Sequence, residues 1–137
     1  MAHELKESPE AIELSVTAPS REELFRSALS GLLEAAYGAP IPSGSYEGRV
    51  VPIQASGADD DALLAELAHD ALRAVREEPG TVQPPRWLAF DERRATATLP
   101  LHTPRAPARI LEVTSARIQA AGSEWRAVLE LLPSVDG

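Results

Sequence analysis

From Ala11 to Thr17 the chain alternates, with Ile12, Leu14 and Val16 on one side and Glu13, Ser15 and Thr17 on the other, the period of a strand with one buried face. Ala18-Pro19 ends that pattern. Ser20, followed three residues later by Glu23, forms a capping box and opens a helix. Within it Leu24, Phe25, Ala28, Leu29, Leu32, Leu33 and Ala36 recur at spacings of three and four down to about Tyr37, and Gly38 supplies the stop. Pro40, Pro42 and Gly44 forbid a continuing helix and predict a loop.

Arg49 to Ala55 alternate again, and Pro52 within them cannot donate a ladder hydrogen bond, which predicts a strand at a sheet edge or one carrying a bulge. Asp59, Asp60 and Asp61 then place negative charge at the start of a second helix, whose stripe is Leu63, Leu64, Leu67, Ala68, Ala71, Leu72 and Val75 and which runs to about Arg76. Glu77 to Pro85, with Pro79, Gly80, Pro84 and Pro85, reads as a connection. Two hairpins follow: Trp87 to Phe90 and Ala95 to Leu101 around Asp91 to Arg94, then Arg109 to Ala120 and Glu124 to Leu132 around Ala121-Gly122-Ser123. The predicted fold class is α+β, two helices packed on antiparallel sheet in the order β-α-β-α-β-β-β-β. It is read as one domain over residues 1–137, with 1–9 flexible and 133–137 a tail.

A chain of 137 residues can bury a single core without metals or disulfides. With only six aromatic residues that core must be mostly Leu, Val, Ile and Ala, and Trp87 and Trp125 are assigned to it. Cysteine is absent, which excludes disulfides, thiolate ligands and a cysteine nucleophile. The sequence has no apolar leader region and no stretch near the roughly 18 apolar residues of a membrane span, so no membrane partner is expected and a cytoplasmic location is. A net charge of −8 repels phosphate backbones, so nucleic acid is not expected as a direct partner. Arg93, Arg94, Arg105 and Arg109 lack interleaved aromatics and read as solvated loop residues.

Candidate chemistry is sparse. His3, His69 and His102 share no metal-ligand spacing and read as surface residues. Asp59 to Asp61 read as helix caps rather than a cation site. Glu66 and Asp70 are four apart on one helical face, near Arg73, and read as a solvated charged face. There is no Gly-rich phosphate loop, no nucleophile elbow and no Ser with a plausible His and Asp, so no enzyme activity is expected.

Three segments in order resemble the archease family, whose members assist RNA ligases in tRNA splicing and RNA repair. They are Ile12 to Leu33, where a strand runs into a helix opened by Glu22-Glu23-Leu24-Phe25; the acid-capped helix from Asp59 to Leu72; and Leu111 to Leu132, with Val113-Thr114 and Trp125. The resemblance covers nearly the whole chain, and it implies an accessory protein that docks on an RNA ligase or a related RNA-processing enzyme. It also implies a divalent cation site, and there the match fails. The family's His-Thr-Ala-Asp tetrad falls on Ser8, Pro9, Glu10 and Ala11; its Lys and His near the Val-Thr pair fall on Leu111 and Ala116; its closing Asp falls on Glu130. Glu130 and Glu10 are therefore the candidate metal residues, a remnant of the family site. No cofactor is expected, with Ca²⁺, Mg²⁺ or Mn²⁺ the ions such a remnant would take. The alternative implied function is a binding or scaffold module on the same fold with metal-dependent activity lost.

Overall fold

The computed structural model describes residues 2–7, 11–38, 49–78, 80–102, 107 and 109–133. The strands are β1 (Ala2–Glu7), β2 (Ile12–Ala18), β3 (Val50–Ser56), β4 (Thr81–Val82), β5 (Arg86–Phe90), β6 (Arg94–His102), β7 (Leu111–Ala121) and β8 (Glu124–Pro133). The helices α1 (Arg21–Tyr37) and α2 (Asp60–Glu77) follow β2 and β3 respectively. All pairings are antiparallel, in two sheets: β1-β2-β8-β7, and β3-β6-β4 with β5 also on β6. The expected elements appear in the expected order, with two strands added.

Those additions have physical reasons. Ala2–Glu7, expected as a loose end, pairs with β2 in unbroken register from Ala2↔Thr17 to Glu7↔Ile12. Thr81–Val82 sits inside the breaker-rich connection, opposite Leu101 and His102. Two residues are too few to show a period. Of the expected tail at 133–137, Pro133 ends β8 and 134–137 lie outside the described residues.

The local signals act as the chemistry demands. The Ser20 hydroxyl accepts from the Glu23 amide at 3.2 Å, and Gly38 closes α1 in the left-handed conformation with φ 73°. β3, with Pro52, pairs among the described residues with β6 alone and is an edge strand there.

One face of β2 supplies Ile12, Leu14, Val16 and Ala18 to the core, set opposite Leu131, Leu129, Ala127 and Trp125 of β8. Helix α1 lies on this surface through Leu24, Phe25, Leu29, Leu32 and Leu33, all without exposure. Helix α2 packs along β7 and β3 and joins the second sheet, whose Ile53, Ala55, Ala95, Ala97 and Leu99 are buried. Trp87 and Trp125 are partly buried against this core. The opposite face of the first sheet carries the half-buried Glu13, Ser15, Thr17 and Val128 and the exposed Arg126 and Glu130.

Candidate functional site on the solvent face of the first sheet

Because β2 buries its even-numbered residues, Glu13 is turned to the other face, and the register sets it directly opposite Glu130 on β8. Glu130 in turn faces Ser115 on β7, while Lys6 on β1 stands opposite Glu13. Two carboxylates meet across neighbouring strands with a lysine on one flank. Further along the same face lie Arg126, opposite Thr17 and Gln119, and Arg117, opposite Val128. A shallow cleft of about 310 Å³ runs over Glu130, Glu13, Arg117 and Arg126, and a second of about 390 Å³ runs over Glu130, Glu13, Lys6 and Ala11. No hydrogen bond or ion pair ties the Glu13, Glu130, Arg117 or Arg126 side chains among the described residues.

The candidate pair Glu130 and Glu10 divides. Glu130 is exposed at the junction of both clefts; Glu10 lies outside the described residues. The carboxylate placed beside Glu130 is Glu13, which sequence reasoning had assigned only to a polar strand face. The cross-strand register pairing β2 with β8 was the missing signal, and the matching runs Ile12-Leu14 and Leu129-Leu131 carried it.

The other acids have structural work. Asp59 caps α2 by accepting from the Ala62 amide at 2.8 Å. Asp60 takes the Arg21 guanidinium at 2.8 Å. Asp61 accepts the Ile118 amide of β7 at 2.8 Å. Three adjacent aspartates thus point three ways. Among the described residues no group of three His, Cys, Asp or Glu gathers as a metal cage.

Two charged residues depart from the solvated reading. Arg109 binds the end of α1, its Nε donating to the Ala35 carbonyl at 3.0 Å and its amide to that of Ala36 at 3.2 Å. Asp70 is not on a solvated face: it is 6% exposed and pairs with Arg73 at 2.9 Å. Burial pushes its carboxyl above the usual carboxylate range; Arg73 opposes the rise, Glu66 adds to it and His69 opposes it weakly. The folded state therefore holds this proton to higher pH than the unfolded chain. Asp70's contribution is most favourable at low pH and declines as pH climbs from the ordinary aspartate range through the raised value. Asp70→Asn is expected to flatten that decline, since the pair it gives up uses a half-exposed arginine and contributes little. Urea denaturation of both proteins across about pH 4 to 7 reads it; parallel curves would count against it.

No family model and no curated protein matches the sequence. Solved structures do match. Protein 1598 of Methanobacterium thermoautotrophicum superposes with a TM-score of 0.63 at 17% identity, covering 95% of this chain and 97% of its own. An archease from Thermotoga maritima, described as a possible chaperone, superposes with a TM-score of 0.58 at 13% identity, over 98% of this chain and all of its own. The agreement spans the whole domain. This chain has the archease fold.

On the archease fold the altered positions acquire places. Ala11, where the resemblance puts the tetrad's Asp, lines the same cleft as Glu130, and a methyl group there cannot ligate. Leu111, in place of the Lys, is 2% exposed, and Ala116, in place of the His, packs against the core. Ca²⁺ takes six to eight oxygen ligands, whereas Glu13 and Glu130 offer at most four, with Lys6 directly across. These residues do not fit a hard-cation site.

Proposed function

We propose that the protein is a non-enzymatic accessory factor of archease type, a divergent member of that family, which docks in the cytoplasm on an RNA ligase or a related RNA-processing enzyme. The observation carrying this reading is the solvent face of the first sheet, where Glu13, Glu130, Arg117 and Arg126 have no side-chain partner among the described residues and stand on an antiparallel frame. Like charges directly opposite on adjacent strands are unfavourable, so a Glu13–Glu130 pair makes physical sense as a surface completed by a partner's cation. The negative net charge favours a protein partner over RNA itself. The test adds the purified protein to an RNA ligase of the same organism and follows guanylylation and turnover. Both are expected to rise, and a charge reversal at Glu13 and Glu130 is expected to abolish the rise. Unchanged ligase kinetics would remove the ligase from this reading.

Ala11 and Lys6 favour a second reading, a scaffold module on the same fold whose metal-dependent activity has been lost. It expects no micromolar Ca²⁺ or Mn²⁺ binding by calorimetry. Tight binding that vanishes in Glu130→Ala would overturn it.

A further inference from the structure

Strand β6 gives its odd-numbered Ala95, Ala97 and Leu99 to the core, so Arg94, Thr96 and Thr98 turn to the other face of the second sheet. Strands β3 and β5 flank it, and residues directly opposite share a face. One row of that outer face is Pro52, Thr98 and Arg86; the next is Gln54, Thr96 and Ala89. Ser56 with Arg94 follows. Thr96 and Thr98 are half-buried and the others are exposed.

The chain holds 21 acidic and 13 basic residues, yet these rows contain two arginines and no acid. Neither the Arg86 nor the Arg94 guanidinium has a hydrogen-bond or ion-pair partner among the described residues. Between them in the row order, a bulge in β5 adds Leu88, which is 68% exposed. Bulges re-aim side chains, and here the extra residue is a large apolar one set between two free cations.

Size decides what such a face can hold. Three strands of about seven residues cover on the order of 350 Å², under half of the roughly 800 Å² that each partner of a stable globular pair buries. A second copy of the chain would find too little area, whereas a single extended segment fits. Arg86 lies level with Thr98, and Arg94 is four residues along β6, about 14 Å away. An extended chain sets residues i and i+4 on one side at that same spacing, with residue i+2 between them. Trp87 and Phe90 stand opposite the buried Ala97 and Ala95, so the outer face offers no aromatic platform for bases.

We infer that the outer face of the second sheet docks an acidic protein segment in extended form, two carboxylates four residues apart meeting Arg86 and Arg94 and an apolar residue between them meeting Leu88. This surface is separate from the Glu13–Glu130 face and opposite to it in charge preference.

Nuclear magnetic resonance titration of the full chain with the peptide Ser-Glu-Thr-Leu-Thr-Glu-Ser tests it. The amide signals of Ala89, Arg94, Thr96 and Thr98 are expected to move, and those of β2 and β8 to stay. Arg86→Glu and Arg94→Glu should each weaken binding about fivefold or more, and Leu88→Ser should weaken it as well. All three positions are exposed, and unchanged signals elsewhere show that the variants remain folded. Replacing both glutamates of the peptide by glutamine should abolish the shifts. No movement in the second sheet, or movement that survives both arginine reversals, would overturn the assignment. So would an octauridylate that moves the same signals at lower concentration than the peptide, since the face would then be one for phosphate.

Discussion

Phe25→Ala is expected to lower the unfolding free energy by about 3–5 kcal/mol, a large share of the roughly 5–15 kcal/mol that holds a domain of this size. Phe25 is completely buried, and its ring meets Phe90 of β5 edge-to-face at 5.1 Å, so truncation opens a cavity between α1 and the second sheet. It also removes the floor under Arg21. That guanidinium lies 5.1 Å over Phe25 and 4.7 Å over Phe90, while it holds Asp60 of α2 and the carbonyls of Asp91 and Glu92 at 2.8 to 3.2 Å. One side chain thus ties both helix starts to the β5–β6 turn. Urea denaturation followed by far-UV circular dichroism gives the loss directly. Fluorescence of Trp87, whose ring is 4.7 Å from Phe90, should report loosening at that corner in the native state. A loss below about 1 kcal/mol would mean that the corner is not clamped as described.

The same corner shows what sequence carries and what it does not. Phe25 belongs to a helical stripe that repeats every three or four residues, so local period exposes it. Arg21 shows no such pattern, because its partners lie 39, 70 and 71 residues away. The helices and longer strands share the first kind of signal. β1 and β4 do not: β1 has one large apolar residue, Leu5, and β4 has two residues in all. Asp70 reads as solvated from the sequence for a related reason. It borders the apolar stripe of α2 rather than lying opposite it, and the tertiary fold decides on which side of the burial boundary such a residue falls.

The candidate site divides in the same way. Glu130 was reached through a family resemblance that spans ordered segments. Glu13 was visible only as the polar half of an alternating strand, and its significance depends on β2 being the neighbour of β8 rather than of β3. Which strands become neighbours is a property of the whole chain. The Asp59 to Asp61 run is the complementary case: helix-cap chemistry correctly identifies Asp59, whereas the separate tasks of Asp60 and Asp61 require knowing that Arg21 and Ile118 arrive beside them.

That junction also sets the second large effect. Gly57 links β3 to α2, and a Cβ there would stand 2.5 Å from the Leu63 nitrogen, 2.8 Å from the Ala62 carbonyl carbon and 2.9 Å from the Leu63 Cα. These are backbone atoms of the first helical turn, which cannot rotate away as a side chain would. Gly57→Ala must therefore push the helix start off the strand. The Asp59 cap, the Asp60–Arg21 pair and the Asp61–Ile118 bond share that turn and are strained together, while the Gly57 amide draws away from the Arg93 carbonyl it now meets at 2.9 Å. A loss of about 3 kcal/mol or more is expected. Gly122→Ala is the informative comparison. Gly122 has φ 65° in the β7–β8 turn with nothing within 4 Å of its would-be Cβ, so alanine pays only the left-handed backbone cost of about 1–2 kcal/mol. Paired denaturant titrations should show Gly57→Ala as clearly the more damaging of the two. Equal losses would mean that close packing of strand on helix is not what position 57 demands.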